Sequence, residues 1–374
     1  MSKTRASKLL IIAGARPNFM KVAPVIKAIT SAQGVDGKSG RFEYRLVHTG
    51  QHYDERMSSI FFSELGIPAP HINLEAGSGS HAVQTANIMK GFEPVCLAEK
   101  PDWVVVVGDV NSSVACTMVA AKLGIKVAHV EAGLRSFDRS MPEEINRLVT
   151  DTLADLLLTP SEDASQNLRR EGAAERRIQM VGNIMIDALI ENVDKARKKN
   201  TPESLGVKPG PFVYVTLHRP SNVDDRENLN LILTELDRLS KDLSVVFPMH
   251  PRTRKMITEF GLRLGGNEAF KIIEPIGYHD SLCLTERARF VLTDSGGLQE
   301  ESTYFRTPCL TLRPNTERPV TVTLGSNRLT DPRRLRSDID RVLNHEERVG
   351  KIPPFWDGKT AERTLDALAQ ASAN

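Results

Sequence analysis

Short apolar runs rich in valine, isoleucine and leucine alternate with helix-length segments along most of this 374-residue chain. In the first half the runs are LLIIAG, EYRLVHTG, WVVVVGD, KVAHVEAG and DLLLTPS; in the second half they are FVYVTLHR, LSVVFPMHP, FKIIEPIG, RFVLTDSGG and CLTLRP. Strands that alternate with helices form parallel sheets covered by helices on both faces. The pattern predicts an α/β protein with two doubly wound, Rossmann-like domains that face one another.

The chain is too long for one ordinary core, and it suits two domains of similar size. A polar segment with proline and glycine, KARKKNTPESLGVKPGP, follows the first set of runs and predicts a connection. We place the boundary near Gly182, giving an N-terminal domain 1–182 and a C-terminal domain 183–359. The last helix, 360–374, is expected to complete the N-terminal domain.

Composition excludes several classes of protein. The 40% hydrophobic and 26% charged residues are typical of a globular chain, and the net charge of +2 gives no reason to expect nucleic acid. No apolar run approaches the roughly 18 residues of a membrane helix. The N-terminal KLLIIAGA reads as a first strand rather than a signal peptide, so we expect a cytoplasmic protein without membrane contact. The four cysteines lie far apart without metal-binding spacing, so no metal site is expected.

Charged and titratable residues gather at the predicted carboxyl ends of the strands, where open α/β sheets bind ligands. In the first half these ends are Gly14-Ala15-Arg16, His48-Thr49-Gly50-Gln51, Gly108-Asp109 and His129-Val130-Glu131. In the second half they are His218-Arg219, His250-Pro251-Arg252 and Asp294-Ser295-Gly296-Gly297. Two facing domains would turn both edges into one interdomain cleft.

The strands that end at Asp109 and Glu131 flank a single helix, so we expect them to lie side by side or one strand apart. Burial and mutual repulsion of the two carboxylates could then raise one pKa toward that of a working acid or base. Other interpretations stay open for each group. Asp109 could cap a helix, Glu131 could pair with Arg135, and the acids after Pro142 could complement a helix dipole.

The segment TDSGGLQEES predicts a site for a phosphate group. Its two glycines let the backbone approach a ligand at the start of a helix, where free N–H groups favour an anion. Glu301, one turn into the helix, could accept hydrogen bonds from a ribose diol. Alternatively Ser295 is an N-cap and the glutamates complement the dipole. Cations near glycine or proline turns could neutralise the same anion: Arg16, Lys21, Arg313 and Arg318.

Common cofactor motifs are missing from the sequence. Neither first strand is followed by GxGxxG, no GxxxxGK[ST] pattern occurs, and no lysine lies in a recognisable pyridoxal phosphate setting. We therefore expect no nicotinamide, flavin or pyridoxal phosphate, and no P-loop ATPase.

Taken in order, eight motifs of this chain resemble those of the bacterial non-hydrolysing UDP-N-acetylglucosamine 2-epimerases. They are GARPNFMKVAPV, HTGQHYD, VGDVNSS, HVEAGLRSFDRSMPEEINR, VGNIMIDAL, TLHRPSN, TDSGGLQEES and NTERPVTV, and the resemblance runs from Leu9 to Leu329. It implies the GT-B architecture, a homodimer, a role in polysaccharide biosynthesis, and interconversion of UDP-N-acetylglucosamine and UDP-N-acetylmannosamine without a redox cofactor or required metal.

The resemblance also implies residue roles. Inversion of carbon 2 would proceed by elimination of UDP to a glycal and re-addition from the opposite face, which needs an acid/base on each face. The implied catalytic residues are Asp109, Glu131, Glu143 and His218. The implied UDP contacts are Arg16, Ser295, Gly296, Gly297, Glu301 and Arg318, with Lys21 and His250 as neighbours.

Two departures from the family pattern affect these expectations. Many members have His-Arg-Arg-Glu-Asn where this chain has His218-Arg219-Pro220-Ser221-Asn222. Some bind a second UDP-sugar as activator through a glutamine at the position of Asp54, after Gln51 and His52, so we do not expect that regulation. A hydrolysing relative, an epimerase of a diacetamido-uronate nucleotide, a GT-B glycosyltransferase and a non-catalytic sensor stay open as alternatives.

Overall fold

Each half of the chain folds around its own parallel β-sheet. The computed structural model describes residues 5–14, 16–32, 41–50, 66–207, 210–345 and 349–373, without the side chains of Arg16 and Pro17. The chain divides into an N-terminal unit, Met1–Ala188 with Pro354–Asn374, and a C-terminal unit, Leu189–Pro353. The predicted α/β class with two parallel-sheet domains is confirmed.

The N-terminal unit has a seven-stranded sheet of order β3-β2-β1-β4-β5-β6-β7. Its strands are β1 (Ser7–Ala13), β2 (Phe42–His48), β3 (Ile72–Asn73), β4 (Trp103–Val107), β5 (Lys126–Val130), β6 (Leu156–Thr159) and β7 (Ile178–Met180). Its helices are α1 (Arg16–Ala32), α2 (His81–Glu99), α3 (Asn111–Lys122), α4 (Pro142–Leu153), α5 (Glu162–Arg170) and a 3-10 turn (Glu175–Arg177). Helix α6 (Ile184–Arg197) continues across the division between the units.

The C-terminal unit has a six-stranded sheet of order β10-β9-β8-β11-β12-β13. Its strands are β8 (Phe212–Thr216), β9 (Ser244–Pro248), β10 (Phe270–Ile273), β11 (Phe290–Thr293), β12 (Cys309–Leu312) and β13 (Asn327–Thr330). Its helices are α7 (Thr201–Ser204), α8 (Pro220–Val223), α9 (Arg226–Leu239), α10 (Pro251–Glu259), α11 (Tyr278–Arg287), α12 (Gly296–Phe305), α13 (Pro319–Thr323) and α14 (Leu335–Leu343).

Both sheets reverse their strand order at one place. In the N-terminal sheet the chain moves outward from β1 to β3 and then returns to place β4 on the other side of β1. The C-terminal sheet repeats this with β8 and β11. Such switch points are where doubly wound sheets bind ligands, beyond the carboxyl ends of the strands. The central strands are apolar because both faces are covered; all five residues of β4 are buried.

The last helix, α15 (Thr360–Ala373), packs on the N-terminal unit. Trp103 of β4 donates from Nε1 to the Ser372 hydroxyl at 2.9 Å. At the start of the helix, the Ala361 N–H donates to Oδ2 of buried Asp187 at 2.8 Å.

The structure differs from the sequence predictions in two places. Helix α2 was not predicted, because it has apolar residues on all sides, including exposed Val83 and Leu97, and therefore lacks a clear amphipathic period. The segment 195–211, expected to be a plain connection, includes the end of α6 and all of α7, and Thr201 there donates to Asp280 at 2.7 Å. The segment MSSIFFSELG, whose length and apolar content after the second strand predict a helix, lies almost entirely outside the described residues. Of the described helices, none has the length and apolar character needed to cross a lipid bilayer.

Candidate active site

Asp109 and Glu131 lie at the carboxyl edge of the N-terminal sheet. Strands β4 and β5 are hydrogen-bonded neighbours in parallel register, with Val107 beside Val130. Asp109 follows β4 by one intervening residue, and Glu131 follows β5 directly. The expectation that these two strands lie side by side is confirmed.

Asp109 is ion-paired with Arg147 of α4. Both Nε and Nη2 of Arg147 donate to Oδ2 of Asp109, at 3.0 and 2.6 Å. Asn146 of the same helix donates to the Asp109 carbonyl oxygen at 2.9 Å. The N-cap position of α3 is occupied by Val110. The interpretation of Asp109 as a helix cap is therefore wrong, and α4 fixes its carboxylate while leaving a quarter of the side chain exposed.

Glu131 is ion-paired with Lys21 of α1, and both side chains are buried. The alternative pairing with Arg135 is wrong, because the Arg135 guanidinium binds Asp151 at 2.7 Å and Glu171 at 2.6 Å. Gly108 makes room for the pair. A Cβ atom at Gly108 would lie 2.7 Å from Nζ of Lys21 and 3.2 Å from Oε2 of Glu131.

Two separate cations therefore accompany the two carboxylates. The repulsion between Asp109 and Glu131 that we expected is opposed by the cations paired with them, Arg147 and Lys21. Each pair joins a residue at the end of a strand to a helix on the sheet. Each of the two carboxylates at neighbouring strand ends is thus held by a cation of its own.

The acids Glu143 and Glu144 differ in their surroundings although they are adjacent in the first turn of α4. Glu144 is buried and accepts from the N–H groups of Ser136 (3.0 Å) and Phe137 (2.9 Å), and it pairs with Arg147 at 2.5 Å. Glu143 is half-buried and makes no hydrogen bond or ion pair with any described residue. Glu144 is thus a structural residue of this loop, whereas the Glu143 carboxylate is left available to a ligand.

The switch point of the C-terminal sheet carries two histidines and a buried carboxylate. His218 follows β8, His250 follows β9, and their ring centroids lie 5.7 Å apart. The His250 ring accepts from the Arg252 N–H at 3.2 Å and so caps α10. Nδ1 of His218 lies 2.8 Å from Oδ1 of Asp294, which follows β11.

Asp294 lies in the segment TDSGGLQEES, but it was not predicted as a site residue. It is fully buried and accepts from the N–H groups of His218 (3.0 Å) and Arg219 (2.9 Å) and from the Asn222 amide (3.2 Å). Burial would raise its pKa, but the hydrogen bond and charge of His218, with the backbone donors, hold the pKa below its ordinary value. Asp294 thus holds the ring and backbone of His218 in a chain that has Pro220-Ser221 where many family members have Arg-Glu.

The segment Ser295-Gly296-Gly297 opens helix α12. Ser295 occupies the N-cap position, as the alternative interpretation expects, but its hydroxyl makes no capping hydrogen bond to the described helix. A Cβ atom at Gly296 would lie 2.8 Å from Nη1 of Arg318. The glycine thus lets the Arg318 guanidinium lie against the helix N-terminus, where the first N–H groups lack partners within the helix. Fixed N–H donors and a cation together suit a phosphate group.

Buried charges surround this helix. Arg318 pairs with Glu300 (Nε to Oε1, 2.9 Å) and with Glu317, which also binds Arg313 at 2.8 Å. The pKa of Glu301 is raised to about 8 by burial and, secondarily, by the charge of Glu300. Burial therefore favours the protonated form of Glu301.

A family model described as UDP-N-acetylglucosamine 2-epimerase matches residues 36–369. The chain belongs to the UDP-N-acetylglucosamine 2-epimerase family. It is 43% identical to the UDP-N-acetylglucosamine 2-epimerase of Methanocaldococcus jannaschii over 370 residues, covering 96% of this chain and 98% of the relative. It is 42% identical to the UDP-2,3-diacetamido-2,3-dideoxy-D-glucuronate 2-epimerase of Pseudomonas aeruginosa over 372 residues, covering 97% and 99%.

Solved structures of the epimerase family agree with the fold. The crystal structure of the Methanocaldococcus jannaschii epimerase in complex with UDP-GlcNAc and UDP matches with a TM-score of 0.86 and 44% identity. The match covers 97% of this chain and 99% of that one. Enzymes of the UDP-N-acetylglucosamine 2-epimerase family are isomerases, which confirms the predicted enzyme class.

One predicted site residue of this epimerase-family chain, and the segment considered for activator binding, lie at or beyond the limits of the described structure. Arg16 is the first residue of α1, but its side chain is outside the described part, as are Gln51, His52 and Asp54. Within the described ranges, no group of three or more histidine, cysteine, aspartate or glutamate residues could hold a metal ion.

Proposed function

We propose that this chain interconverts UDP-N-acetylglucosamine and UDP-N-acetylmannosamine by inverting carbon 2 of the sugar. The observation that carries the proposal is the placement of Asp109 and Glu131 after neighbouring strands, each with its own cation. Proton transfer at carbon needs such fixed carboxylates. The proposal is further supported by membership of the epimerase family.

The chemistry needs both a base and a good leaving group. The proton on carbon 2 is not acidic, so its removal is coupled to departure of UDP from carbon 1. The C2–H bond breaks and its electron pair forms the C1=C2 double bond of a glycal, while the C1–O bond breaks and its pair leaves with UDP. Re-addition of UDP then places a proton on the opposite face of carbon 2.

Three carboxylates of the N-terminal unit are proposed to serve the two proton transfers: Asp109, Glu131 and Glu143. Glu143 suits proton exchange because it is half-buried and makes no contact with another described charged group. Asp109 and Glu131 are held by Arg147 and Lys21. His218 is assigned to the leaving diphosphate, since its Nδ1 faces Asp294 and Nε2 is then the nitrogen that can donate to an oxygen of UDP.

The C-terminal unit is proposed to bind the nucleotide. The N–H groups of Gly296 and Gly297, the Ser295 hydroxyl and Arg318 suit the diphosphate, and the buried Glu301 suits the ribose diol. Further contacts carried over from the family motifs are Arg16, Lys21 and His250.

A second candidate substrate is the UDP-linked diacetamido-glucuronate. The Pseudomonas aeruginosa relative that is 42% identical over nearly the whole chain bears the name of that epimerase. The proposed elimination is the same for both sugars, because both carry an N-acetyl group on the inverted carbon. The two substrates differ at carbons 3 and 6, and the proposed elimination and re-addition make and break bonds only at carbons 1 and 2.

Incubation with each UDP-sugar in deuterated water, followed by NMR, tests the proposal. Deuterium at carbon 2 of an intact UDP-sugar mixture is the expected result, and the better substrate identifies the sugar. Free sugar and UDP would instead indicate the hydrolysing reaction. Absence of exchange, with UDP released only when an acceptor is added, would contradict both and favour a glycosyltransferase.

The neighbours Glu143 and Glu144 provide a matched pair of variants. We expect Glu143→Gln to abolish exchange at carbon 2 while the thermal unfolding midpoint and the UDP affinity stay close to wild type. Glu144→Gln should instead lower the midpoint, because the hydrogen bonds that the Glu144 carboxylate accepts from the N–H groups of Ser136 and Phe137 become weaker. Asp109→Asn is expected to behave like Glu143→Gln in exchange.

The homodimer and the role in polysaccharide biosynthesis implied by the resemblance are part of the same proposal. Exposed apolar side chains on α2, Val83 and Leu97, support a dimer through the N-terminal unit. Light scattering coupled to size-exclusion chromatography measures the mass directly, and the expected value is twice the chain mass of 41.4 kDa.

A further inference from the structure

One buried histidine touches the three chain segments that carry the candidate carboxylates. The ring of His129 is completely buried, two residues before Glu131 on β5. Its Nε2 donates to the carbonyl oxygen of Gly108, the residue before Asp109, at 3.0 Å. Its Nδ1 donates to Oδ1 of Asp151 at 2.6 Å. Asp151 belongs to α4, the helix that begins with Pro142 and Glu143.

The Asp151 carboxylate extends this contact into a cluster of ion-paired side chains. Oδ2 of Asp151 accepts from the Gly133 N–H at 3.0 Å and pairs with Arg135 at 2.7 Å, and Arg135 pairs in turn with Glu171. Burial would raise the pKa of Asp151, but the charges and hydrogen bonds of His129 and Arg135 hold it below the ordinary value. Asp151 is therefore anionic, and both ring nitrogens of His129 face acceptors.

The turn that this cluster holds has an unusual backbone. Glu131 has a φ of 75° and Gly133 a φ of 81°, so two of three successive residues are left-handed. A Cβ atom at Gly133 would lie 2.3 Å from the Ala164 carbonyl oxygen. A left-handed glutamate persists only where its surroundings fix it. Here the Glu131 N–H binds the Leu158 carbonyl at 3.0 Å, and Asp151 holds Gly133.

We propose that His129 is a positioning residue that sets the relative positions of Asp109, Glu131 and Glu143. The ring links the end of β4, the end of β5 and helix α4 through two hydrogen bonds and its own backbone. This inference rests on the proposed function for its catalytic consequence. Misplacement of a reacting group by about 1 Å can cost on the order of 100-fold in rate.

Two substitutions separate the two hydrogen bonds of the ring. The amide of His129→Gln reaches the place of Nε2 and keeps a donor for the Gly108 carbonyl. The shorter amide of His129→Asn reaches only the place of Nδ1 and keeps a donor for Asp151. Asp187→Ala is the control, because Asp187 is also buried in the N-terminal unit but binds the N–H of Ala361, away from the carboxylates.

The rate of deuterium entry at carbon 2, normalised to UDP-binding sites counted by calorimetry, is the first readout. We expect kcat to fall about 100-fold in His129→Asn and less in His129→Gln, with KM changed less than about threefold. Asp187→Ala should lower the thermal midpoint while kcat per site stays at the wild-type value. Wild-type kcat per site in His129→Asn would overturn the inference.

Amide hydrogen exchange read by mass spectrometry is the second readout, and it does not depend on the substrate. His129→Asn should exchange faster in the peptide covering 105–111, His129→Gln in the peptide covering 142–153, and both in the peptide covering 129–136, whereas Asp187→Ala should not affect any of them. Unchanged protection of all three peptides would overturn the inference. If the wild-type protein fails to exchange the carbon 2 proton, the proposed function is contradicted, and the peptide protection still decides whether His129 fixes these segments.

Discussion

Nδ1 of His218 lies 2.8 Å from Oδ1 of Asp294, and the same carboxylate accepts from the backbone N–H of His218. Asp294 therefore fixes both the ring and the main chain of one residue. A hydrogen bond at one ring nitrogen of a histidine orients the imidazole and so fixes the direction in which the other nitrogen points. In the proposed reaction, that other nitrogen serves the leaving diphosphate.

Asp294→Asn is expected to lower kcat by at least about 100-fold, since the neutral amide removes the negative charge that supports donation from Nε2 to the leaving diphosphate. The exchange assay at carbon 2 measures the loss. Residues that act as one unit are not additive. The variant His218→Ala/Asp294→Asn should thus be no slower than His218→Ala alone, and two independent losses that multiply would contradict the pairing.

The buried pair of Lys21 and Glu131 should show strong coupling in stability. Lys21→Met leaves the Glu131 carboxylate buried without its cation, and we expect the free energy of unfolding to fall by about 3 kcal/mol. Glu131→Gln should also destabilise, by leaving Lys21 unpaired. The double variant should be clearly more stable than the sum of the two losses predicts, as measured by urea denaturation. Additive losses would mean that the pair contributes nothing to stability.

Comparing the UDP affinity of Glu131→Gln with that of the double variant tests whether Lys21 also contacts the nucleotide.

Comparing Gly108→Ala with Gly124→Ala separates the cost of a left-handed backbone from the cost of a steric clash between the new Cβ atom and Lys21. Both glycines are left-handed, with φ of 63° and 70°, so an alanine at either costs roughly 1–2 kcal/mol. A Cβ at Gly108 meets Lys21, whereas none of the described atoms lies within 4 Å of a Cβ at Gly124. Only Gly108→Ala should lose exchange at carbon 2. Equal activity of the two variants would show that the Lys21–Glu131 pair can shift without consequence.

Glu301→Gln is expected to change how stability depends on pH. The folded pKa of about 8 exceeds the unfolded value near 4.5, so the folded state binds more protons between these limits. The stabilising contribution of the protonated Glu301 is complete below about pH 4.5 and is lost as pH rises to about 8. Its loss lowers the free energy of unfolding by up to roughly 1.4 kcal/mol per pH unit.

The glutamine variant lacks this slope, so its stability relative to wild type should rise from pH 5 to pH 8 and then level off. Urea denaturation at successive pH values measures the difference. Glu259→Gln, an exposed position on α10, is the control and should run parallel to wild type. Parallel curves for Glu301→Gln as well would place the Glu301 titration outside this range.

The apolar runs were enough to predict the fold and the edge of each sheet that carries polar side chains, because burial of parallel strands leaves a strong local pattern. The sequence did not predict which residues those polar side chains pair with. Lys21 and Glu131 are separated by 110 positions and His218 and Asp294 by 76 in sequence, and no local rule connects them. Pairing of Glu131 with Arg135 was suggested by a four-residue spacing, which brings side chains together only in a helix. Here that segment is a turn in which Glu131 is left-handed.

Helix α15 completes the N-terminal unit although it follows the whole C-terminal unit in the chain. During synthesis, residues 189–353 leave the ribosome before Ser372 can meet Trp103 or Ala361 can meet Asp187. The unit that begins first therefore finishes last. The sheet that carries Asp109 and Glu131 at one edge therefore lacks the packing of α15 until the whole C-terminal unit has been synthesised.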